Sequence, residues 1–437
     1  MDPVKVGLLG LGTVGGGTVE VLRRNAEEIA RRAGRGIVIT RASARDIQRR
    51  RPFDTSGINL TRDPFEVVDD PELAIVVELI GGESPARELV LRAIDNGKHV
   101  VTANKALIAK HGNEIFAAAQ EKGVMVAFEA AVAGGIPIIK AIREGLAANR
   151  IQWLAGIING TGNFILTEMR DRGAPFDEVL AEAQRLGYAE ADPTFDVEGI
   201  DAAHKLTILA AIAFGIPLQF DKVYTEGITR IATADVDYAA QLGYRIKHLG
   251  IAKRTDSGVE MRVHPTLIPH RRLIANVDGV MNAVLVNGDA VGPTLYYGAG
   301  AGAEPTASAV VADIVDVVRT LTSDPENRVP HLAFQPDALS DLPILPMDEV
   351  ETAYYLRMTA EDRPGVLAEV TRILGDERIS IEAILQKEPP APGEDATIIL
   401  LTHRVREANM NRALAAITAL PSIRGEIQRI RLETLES

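Results

Sequence analysis

Hydrophobic residues in the first 128 positions fall into short runs separated by stretches with helical spacing. The runs are rich in Val and Ile, as buried parallel strands are. They read VKVGLL, GIVIT, AIVVELI, KHVVTA and GVMVAF. Between the third and fourth runs, a helix is predicted with Ser84 as N-cap, Pro85 as its first residue and Gly97 as its C-terminal stop. Strands that alternate with helices predict an α/β fold with a doubly wound parallel sheet.

The pattern changes near residue 130, where glycine-rich stretches, long helices and further strands predict a second, α+β domain. A proline-rich stretch later in the chain predicts a linker. Its prolines are Pro325, Pro330, Pro336, Pro343 and Pro346. The last part follows the order strand, helix, strand, strand, helix, strand, a ferredoxin-like split βαβ pattern. The predicted division is 1–130 with a helix at about 305–322, then 131–304, a linker over 323–350, and 351–437.

Composition narrows the function classes. A chain of 437 residues exceeds the ~250–300 at which one core stops growing, so several domains are expected. The sequence contains 0 cysteines, which excludes disulfides, thiolate metal sites and thiol nucleophiles. A net charge of -13 argues against a nucleic-acid partner. With neither a signal-peptide pattern nor an apolar run near ~18 residues, we expect no membrane partner and a cytoplasmic location.

The segment GLGTVG places Gly10, Gly12 and Gly15 in G-x-G-x-x-G spacing, directly after a predicted strand and at the start of a helix. The first glycine permits a tight turn, the second lets the backbone approach a pyrophosphate, and the third allows close packing of helix on strand. The phosphates would lie at the helix N-terminus. This pattern predicts a Rossmann-type dinucleotide-binding domain.

The residues after the second predicted strand bear on the choice of nucleotide. Arg41 and Arg45 precede Asp46 there, and basic side chains at this place favour the 2′-phosphate of NADP. A shift of one residue in the strand end would bring Asp46 towards the ribose, as in NAD sites. NADP is therefore predicted, with NAD as the alternative.

Without a cysteine nucleophile, the expected chemistry is direct hydride transfer between an alcohol and a carbonyl, which also needs a proton donor. Asp201 and Lys205 are four residues apart in a helical segment and so share one face. An exposed ion pair is the alternative interpretation. The apolar residues that follow, Leu206, Ile208 and Leu209, favour a buried pair.

Six segments, in order, resemble the homoserine dehydrogenase family over essentially the whole chain. They are GLGTVG, VTANKALIA, EAAVAGGIP, NGTGNFIL, GYAEADPTFDVEGIDAAHK and GAGAGAEPTASAV. The resemblance implies reversible NAD(P)H-dependent reduction of L-aspartate 4-semialdehyde to L-homoserine, on the route to threonine, methionine and isoleucine. No kinase-like segment precedes the glycine loop, so the monofunctional form is expected. Gly162 stands where the family often has threonine, which bears on substrate geometry.

The resemblance also implies the active-site roles. Lys205 matches the catalytic lysine, which would protonate the developing alkoxide, and Lys105 matches a second lysine that would steady the same oxygen or relay the proton. Glu190 matches a glutamate that would receive the substrate ammonium group. Asp196 and Asp201 match acids that line the same pocket. Two further acids of that segment are interpreted as solvated loop residues: Asp192 and Glu198.

Cofactor and metal ligands follow from the same resemblance. The implied cofactor-binding residues are Gly10, Leu11, Gly12, Thr13, Val14, Gly15, Arg45, Thr102, Lys105, Gly302 and Glu304. The segment EAAVAGGIP resembles the family's sodium site, with the Glu129 carboxylate and the backbone carbonyls of Val132, Gly134 and Ile136 around the ion. A plain glycine-rich turn is the alternative, because one carboxylate makes no distinctive metal signature.

The segment YYLRMTAEDRPGVLAEVTRIL resembles the opening of an ACT domain, a small module that binds amino acids. Its turn DRPGVL would leave backbone N–H groups free for a carboxylate. The implied effector residues are Asp362, Gly365, Val366 and Leu367, and the implied effector is threonine. A purely structural dimerisation module is the alternative. Since such domains usually pair edge to edge, a homodimer or homotetramer is expected.

Two other functions stay open from the residues alone. One is an NADP-linked reductase of another small amino or hydroxy acid, and the other is an amino-acid sensor whose catalytic half is only a scaffold. Retention of both Lys105 and Lys205 speaks against the sensor.

Overall fold

The computed structural model describes residues 2–322, 324, 328–387 and 394–436. Within them the chain forms two compact units. The first comprises Met1–Gly160, Asp201–Val223 and Val280–Leu342, and the second comprises Thr161–Ile200, Tyr224–Gly279 and Pro343–Ser437. None of the described helices combines the length and hydrophobicity that a bilayer crossing requires.

The strands and α-helices of the described residues are numbered in chain order. The strands are β1 (Val4–Leu9), β2 (Ile37–Ser43), β3 (Asn59–Thr61), β4 (Ile75–Glu78), β5 (His99–Thr102), β6 (Val126–Ala127), β7 (Ile151–Ile157), β8 (Tyr224–Thr225), β9 (Tyr244–Arg254), β10 (Val259–Pro269), β11 (Met281–Gly288), β12 (Gly292–Ala299), β13 (Glu351–Ala360), β14 (Ile381–Gln386), β15 (Ala396–Thr402), β16 (Val405–Arg406) and β17 (Ile423–Leu432). The α-helices are α1 (Thr13–Arg24), α2 (Ala26–Ala33), α3 (Phe65–Val68), α4 (Ala86–Asp95), α5 (Lys105–Glu121), α6 (Ile138–Lys140), α7 (Gly160–Arg172), α8 (Phe176–Arg185), α9 (Thr194–Val197), α10 (Ile200–Phe214), α11 (Thr233–Gln241), α12 (Ala303–Thr320), α13 (Val366–Asp376) and α14 (Glu407–Thr418).

The first unit is built on a six-stranded sheet in the order β3-β2-β1-β4-β5-β6. All its neighbouring strands are parallel, which confirms the doubly wound α/β fold. Five strands lie where the hydrophobic runs predict them. The sixth, β3, was missed because its three residues, NLT, contain a single large apolar side chain and give no periodic signal.

Helix α4 follows the prediction at its C-terminal end and departs from it at the start. Gly97 has a φ of 72°, and the amides of Gly97 and Lys98 donate to the carbonyls of Ile94 and Ala93, as in a Schellman motif. The prediction of Ser84 as N-cap is wrong. The helix begins at Ala86 with Pro85 as the flanking residue, and no side chain caps it.

Helix α12 packs with the parallel sheet although it lies far along the chain. Its apolar residues, among them Ala307, Val310 and Ile314, belong to one buried cluster with Val6 and Val19. Gly17 of α1 makes the contact close, since a Cβ there would come within 2.6 Å of the Ala303 carbonyl oxygen. The first unit also contains the antiparallel strands β7, β11 and β12.

The second unit contains the C-terminal domain. Strands β17, β13, β15 and β14 lie side by side in that order, with α13 and α14 packed on one face, which confirms the ferredoxin-like pattern. Tyr355, from the other face of β13, shares a core with residues of α7, α8 and α11. Because alternate residues of a strand point to opposite faces, the sheet is buried on both sides. The C-terminal domain therefore shares a hydrophobic core with the rest of this unit.

The predicted linker is largely without regular structure where it is described, with 3-10 turns at Pro336–Ala338 and Met347–Glu349. It is nevertheless tied to the protein, because the Val259 amide donates to the Pro343 carbonyl and the Leu345 amide donates to the Val259 carbonyl, both at 2.9 Å. Pro325 lies outside the described residues. The predicted domain boundaries remain predictions.

Candidate active site

Three side chains predicted to act in catalysis lie together in the first unit. The Asp201 carboxylate bridges two ammonium groups, with Oδ2 2.7 Å from Nζ of Lys205 and Oδ1 3.1 Å from Nζ of Lys105. Lys205 also donates to the carbonyl oxygen of Ile158 at 2.7 Å. Asn159 donates from Nδ2 to Oδ2 of Asp201, the oxygen that also accepts from Lys205, at 2.9 Å. The cluster thus holds one carboxylate between two cations at fixed hydrogen-bond distances.

Burial of this cluster decides its electrostatics. Residues 201–214 of α10 are buried, so the interpretation of Asp201 and Lys205 as a surface ion pair is wrong. The side chains of Asp201, Lys205 and Lys105 are 5%, 11% and 34% exposed. Burial by itself would raise the pKa of Asp201, but the charges of Lys205 and Lys105 outweigh it and lower that pKa. The carboxylate is therefore ionised at neutral pH.

Lys105 follows a group of linked polar residues, of which Thr102 was predicted, as a cofactor-binding residue, and Glu78 and Asn104 were missed. The buried Glu78, at the end of β4, accepts the amides of Ile80 and Gly81, and its Oε2 accepts the Thr102 hydroxyl at 2.7 Å. The same hydroxyl oxygen accepts the Asn104 amide, and the Asn104 side chain caps α5 by accepting the Leu107 amide. The loops after β4 and β5 are thus fixed together. The sequence signal that could have identified Glu78 is the position of an acid at the end of the hydrophobic run IVVE.

The glycine loop has the geometry that a dinucleotide requires. Gly10 has a φ of 98°, and a Cβ at Gly15 would overlap the Gly10 carbonyl oxygen, so both glycines are needed by the protein itself. A Cβ at Gly12 would meet nothing within 4 Å. Gly12 is the N-cap of α1 and provides no side-chain cap. An open approach to a helix N-terminus fits a pyrophosphate.

The loop after β2 separates the two predicted arginines. The strand runs to Ser43, so Arg41 lies within it. The Arg41 guanidinium donates to the Glu66 carbonyl oxygen at 3.0 Å, and its Nε lies 3.5 Å from Oδ2 of Asp70. The expectation that Arg41 lies beyond the strand end is therefore wrong. Arg45 is exposed just after the strand. The neighbouring Asp46 accepts the amides of Gln48 and Arg49, which uses its carboxylate in the turn.

Other predicted cofactor residues lie at the starts of helices in the first unit. Thr13 and Val14 begin α1, after the half-buried Leu11. Gly302 has a φ of 122° and is the N-cap of α12. Glu304 forms a bidentate ion pair with Arg24 of α1, at 2.7 and 3.0 Å.

The predicted sodium residues include a buried carboxylate, that of Glu129. Both oxygens of Glu129 accept backbone amides, from Ile139 at 2.9 Å and Lys140 at 2.8 Å. Burial and the nearby Asp313 raise the pKa of Glu129 to about 7. The Ile136 carbonyl accepts the Ile138 amide at 2.7 Å. A small cation beside Glu129 would offset its burial cost, so the donor set fits a monovalent ion, although the described residues contain no cluster of three metal-ligating side chains.

The predicted substrate acids belong to the second unit. Glu190 is exposed in the loop after α8, and Asp196 is half-buried in α9. Asp192 is exposed and accepts the Thr194 amide at 3.1 Å. Glu198 is half-buried and accepts the Thr229 hydroxyl at 3.1 Å, so it is not simply a solvated loop acid.

The predicted effector turn precedes α13. Gly365, the N-cap of that helix, has a φ of 97°, which favours glycine. Val366 is buried, Leu367 is half-buried and Asp362 is exposed.

A glycine loop at the edge of a doubly wound sheet, with two lysines paired to a buried aspartate in the same unit, defines a nicotinamide-dependent oxidoreductase. Residues 10–129 match the homoserine dehydrogenase NAD-binding domain, residues 137–315 match homoserine dehydrogenase, and residues 354–422 match the ACT domain. The chain belongs to the homoserine dehydrogenase family, whose members are NAD(P)-dependent oxidoreductases that act on a CH–OH group.

Full-length relatives support this assignment. The chain is 71% identical to homoserine dehydrogenase of Pseudomonas aeruginosa over 436 residues and 58% identical to that of Neisseria gonorrhoeae over 435, covering 100% of each chain. It is 71% identical to a homoserine dehydrogenase from Thiobacillus denitrificans of known structure, with a TM-score of 0.96, covering 100% of this chain and 99% of that one. A hyperthermophilic archaeal homoserine dehydrogenase in complex with NADPH is 26% identical, with a TM-score of 0.61, covering 72% of this chain and 97% of that one.

Proposed function

We propose that the chain reversibly reduces L-aspartate 4-semialdehyde to L-homoserine, with Lys205 as the proton donor. The observation that carries this proposal is the Asp201 carboxylate held between the ammonium groups of Lys205 and Lys105 in a buried setting. The bound nicotinamide would supply the hydride. The chain itself must then stabilise and protonate one oxygen.

Lys205 is suited to that step because its ammonium is held from two sides, by Asp201 and by the Ile158 carbonyl. Such anchoring fixes the position from which a proton on Nζ reaches the developing alkoxide. Lys105 is more exposed and adds a second positive charge, which favours negative charge on the same oxygen. In the oxidation direction Lys205 would take the proton back.

The zwitterionic substrate accounts for the acids of the second unit. We assign the ammonium group of the substrate to Glu190 and Asp196, since a carboxylate is the natural partner of an ammonium. A purified-enzyme assay tests the whole proposal: NADPH oxidation with L-aspartate 4-semialdehyde, and identification of homoserine as product. Turnover of other small amino or hydroxy carbonyls in preference to it would favour the alternative reductase. Absence of any cofactor oxidation would favour the sensor.

NADP is the proposed cofactor, supported by the exposed Arg45 and by the commitment of Asp46 to its own turn. We expect Arg45→Glu to lower kcat/KM for NADPH about tenfold or more and to leave that for NADH unchanged, because a charge-assisted bond to the 2′-phosphate is lost. Initial rates with both nucleotides measure this. Arg35→Glu is the matched control, because Arg35 lies just before the start of β2, at the end of the strand opposite to Arg45. Equal losses with both nucleotides would contradict the assignment.

A sodium ion is proposed at Glu129 and the carbonyls of Val132, Gly134 and Ile136, supported by the buried carboxylate. We expect the melting temperature to be a few degrees higher in sodium chloride than in tetramethylammonium chloride at equal ionic strength. Glu129→Gln should abolish this difference. Glu144→Gln, an exposed neighbour paired with Arg143, should preserve it. An unchanged melting temperature in the two salts would rule the site out.

Feedback inhibition by threonine through the ACT domain is proposed on the strength of the turn that precedes α13. We expect threonine to inhibit NADPH oxidation and Gly365→Ala to relieve that inhibition, because a side chain is strained at a φ of 97°. Gly375→Ala, within the same helix and with open space at Cβ, is the control. Full inhibition of the Gly365 variant would contradict the role of the turn.

We further propose a homodimer or homotetramer that acts on the route to threonine, methionine and isoleucine. Within the described residues, β14 ends the strand order of its sheet and pairs with β15 alone, and such an edge supports association through this domain. Light scattering on the purified chain would decide it, and a monomeric mass would refute it.

A further inference from the structure

A cleft of about 550 Å³ lies within the second unit, between the C-terminal domain and the rest of that unit. One wall contains residues 426–429 of β17 together with Asn411 of α14, and the other contains residues 224–227, residues 229–231 and Glu198. Its volume is typical of pockets that hold small molecules. None of its residues belongs to the predicted effector turn.

Opposite charges face each other across this cleft. Nη2 of Arg429 and Oε2 of Glu226 are 4.0 Å apart, too far for a direct hydrogen bond. Arg429 is anchored through Nη1 to Glu407 at 2.9 Å and to Asn411 at 2.6 Å. Within the part of the chain that the structure describes, Nη2 of Arg429 and Oε1 of Glu226 make no hydrogen bond. One donor and one acceptor are therefore held for a ligand.

A buried network of charged and polar side chains lies behind the wall that carries Glu226. The Arg431 side chain is fully buried, donates to Glu226 at 2.7 Å and is also paired with Glu407. Tyr224 donates its hydroxyl to Glu226 at 2.8 Å. A buried network in which each group has partners holds its members in one arrangement. The two free groups are thus preorganised rather than mobile.

We propose that this cleft binds a small L-α-amino acid as its zwitterion, with the carboxylate on Arg429 and the ammonium on Glu226. Arg230, which is exposed at the rim and only loosely paired with Glu426 at 3.9 Å, adds a second cation for the carboxylate. A simple anion would be repelled by the acids Glu198, Glu226 and Glu426 around the cleft. This inference rests on the proposed regulatory function of the C-terminal domain.

The cleft wall is joined directly to the segment that carries Asp196. The Ile228 amide donates to the Val197 carbonyl at 2.9 Å, and the Thr229 hydroxyl donates to Glu198 at 3.1 Å. The Gly227 backbone lies so close to Val197 that a Cβ at position 227 would be 2.7 Å from the Val197 carbonyl oxygen. A ligand that shifts residues 226–230 must therefore shift the segment of the proposed substrate acid. Effector binding and substrate binding are coupled through these contacts.

Calorimetric titration of the full chain with L-threonine, L-isoleucine and L-methionine tests the site, alongside inhibition of NADPH oxidation by each. We expect at least one amino acid to bind, with its Kd raised about tenfold or more by Arg429→Gln, since a hydrogen bond to a charged group is lost. Arg230→Gln, which removes an exposed cation at the rim, should weaken binding less. Arg424→Gln, an exposed ion-paired arginine on the same strand but outside the cleft, should leave Kd and activity unchanged. Circular dichroism and melting temperature establish that each variant is folded.

The outcomes separate the two hypotheses. If inhibition persists and Kd is unchanged in both Arg429→Gln and Arg230→Gln, the cleft is not the binding site, and the proposed regulatory function is still supported. Binding that depends on Arg429 without any inhibition overturns the regulatory function and supports the cleft as a binding site. If none of the three amino acids binds the wild-type chain, both are overturned.

Discussion

Replacing Lys205 with methionine is expected to lower kcat for aspartate semialdehyde reduction by a factor of about 10²–10⁴, the usual contribution of a positioned general acid. Methionine keeps the length of the buried stem but cannot donate a proton. The ammonium it removes is anchored by Asp201 and the Ile158 carbonyl, both at 2.7 Å. Steady-state rates with saturating NADPH measure the loss. Because the proposed nucleotide-binding residues lie on elements other than α10, KM for NADPH should change little.

Lys98→Met is the matched control for this substitution. Lys98 is also buried, and its ammonium donates to the carbonyls of Asp70 and Leu73 away from the proposed chemistry. Its loss should lower stability but leave kcat per folded molecule near the wild-type value. A Lys205→Met enzyme that turns over at the wild-type rate would refute the mechanism.

Asp201→Asn is expected to destabilise the fold by about 3 kcal/mol or more at pH 7, because removing one partner of a buried ion pair leaves the other charge uncompensated. Lys205 and Lys105 would then face each other without the carboxylate that bridges them. We also expect a large loss of activity, since Lys205 loses one of the two groups that anchor its ammonium. Urea unfolding of wild type and variant measures the first effect.

The pH dependence of this difference has a definite sign. The lysines lower the pKa of Asp201 in the folded chain, below the ~3.9 of an unfolded aspartate. The carboxylate therefore stabilises the fold above about pH 4, and this contribution is lost as the pH falls towards the folded value. The gap between wild type and Asp201→Asn should be largest near neutrality and should shrink on acidification. Asp192→Asn, at an exposed acid that accepts a single backbone amide, should show a much smaller gap. Equal urea midpoints for Asp201→Asn and wild type at pH 7 would contradict the account.

The parts of the site that the sequence predicts well are those that depend on the spacing of residues close together in the chain. The glycine loop, the strands around it and the pairing of Asp201 with Lys205 depend on residues at most a few positions apart, so periodicity and turn chemistry reveal them. The burial of α10 was also readable, because its apolar residues surround the helix on all sides. The order of elements in the C-terminal domain followed from the same patterns.

Contacts between distant segments were beyond such reasoning. That Lys105 reaches Asp201, and that Glu78 fixes the loop before Lys105, depends on the order of strands β4 and β5 in the sheet and on how α10 packs. Strand β2 is longer than predicted, because its pairing with β1 continues to Ser43. Arg41 therefore lies within the strand, and Arg45 lies beyond it. Burial of the C-terminal sheet on both faces was likewise set by its packing against α7, α8 and α11.

By itself, the sequence determined the α/β class, the dinucleotide loop and the lysine–aspartate pair, since each is written in short-range spacing. Only the tertiary structure decided which charges meet, how deeply they are buried and which loops are fixed to one another. The physical reason is that pKa, desolvation and hydrogen-bond geometry depend on neighbours in space, and those neighbours come from separate parts of the chain.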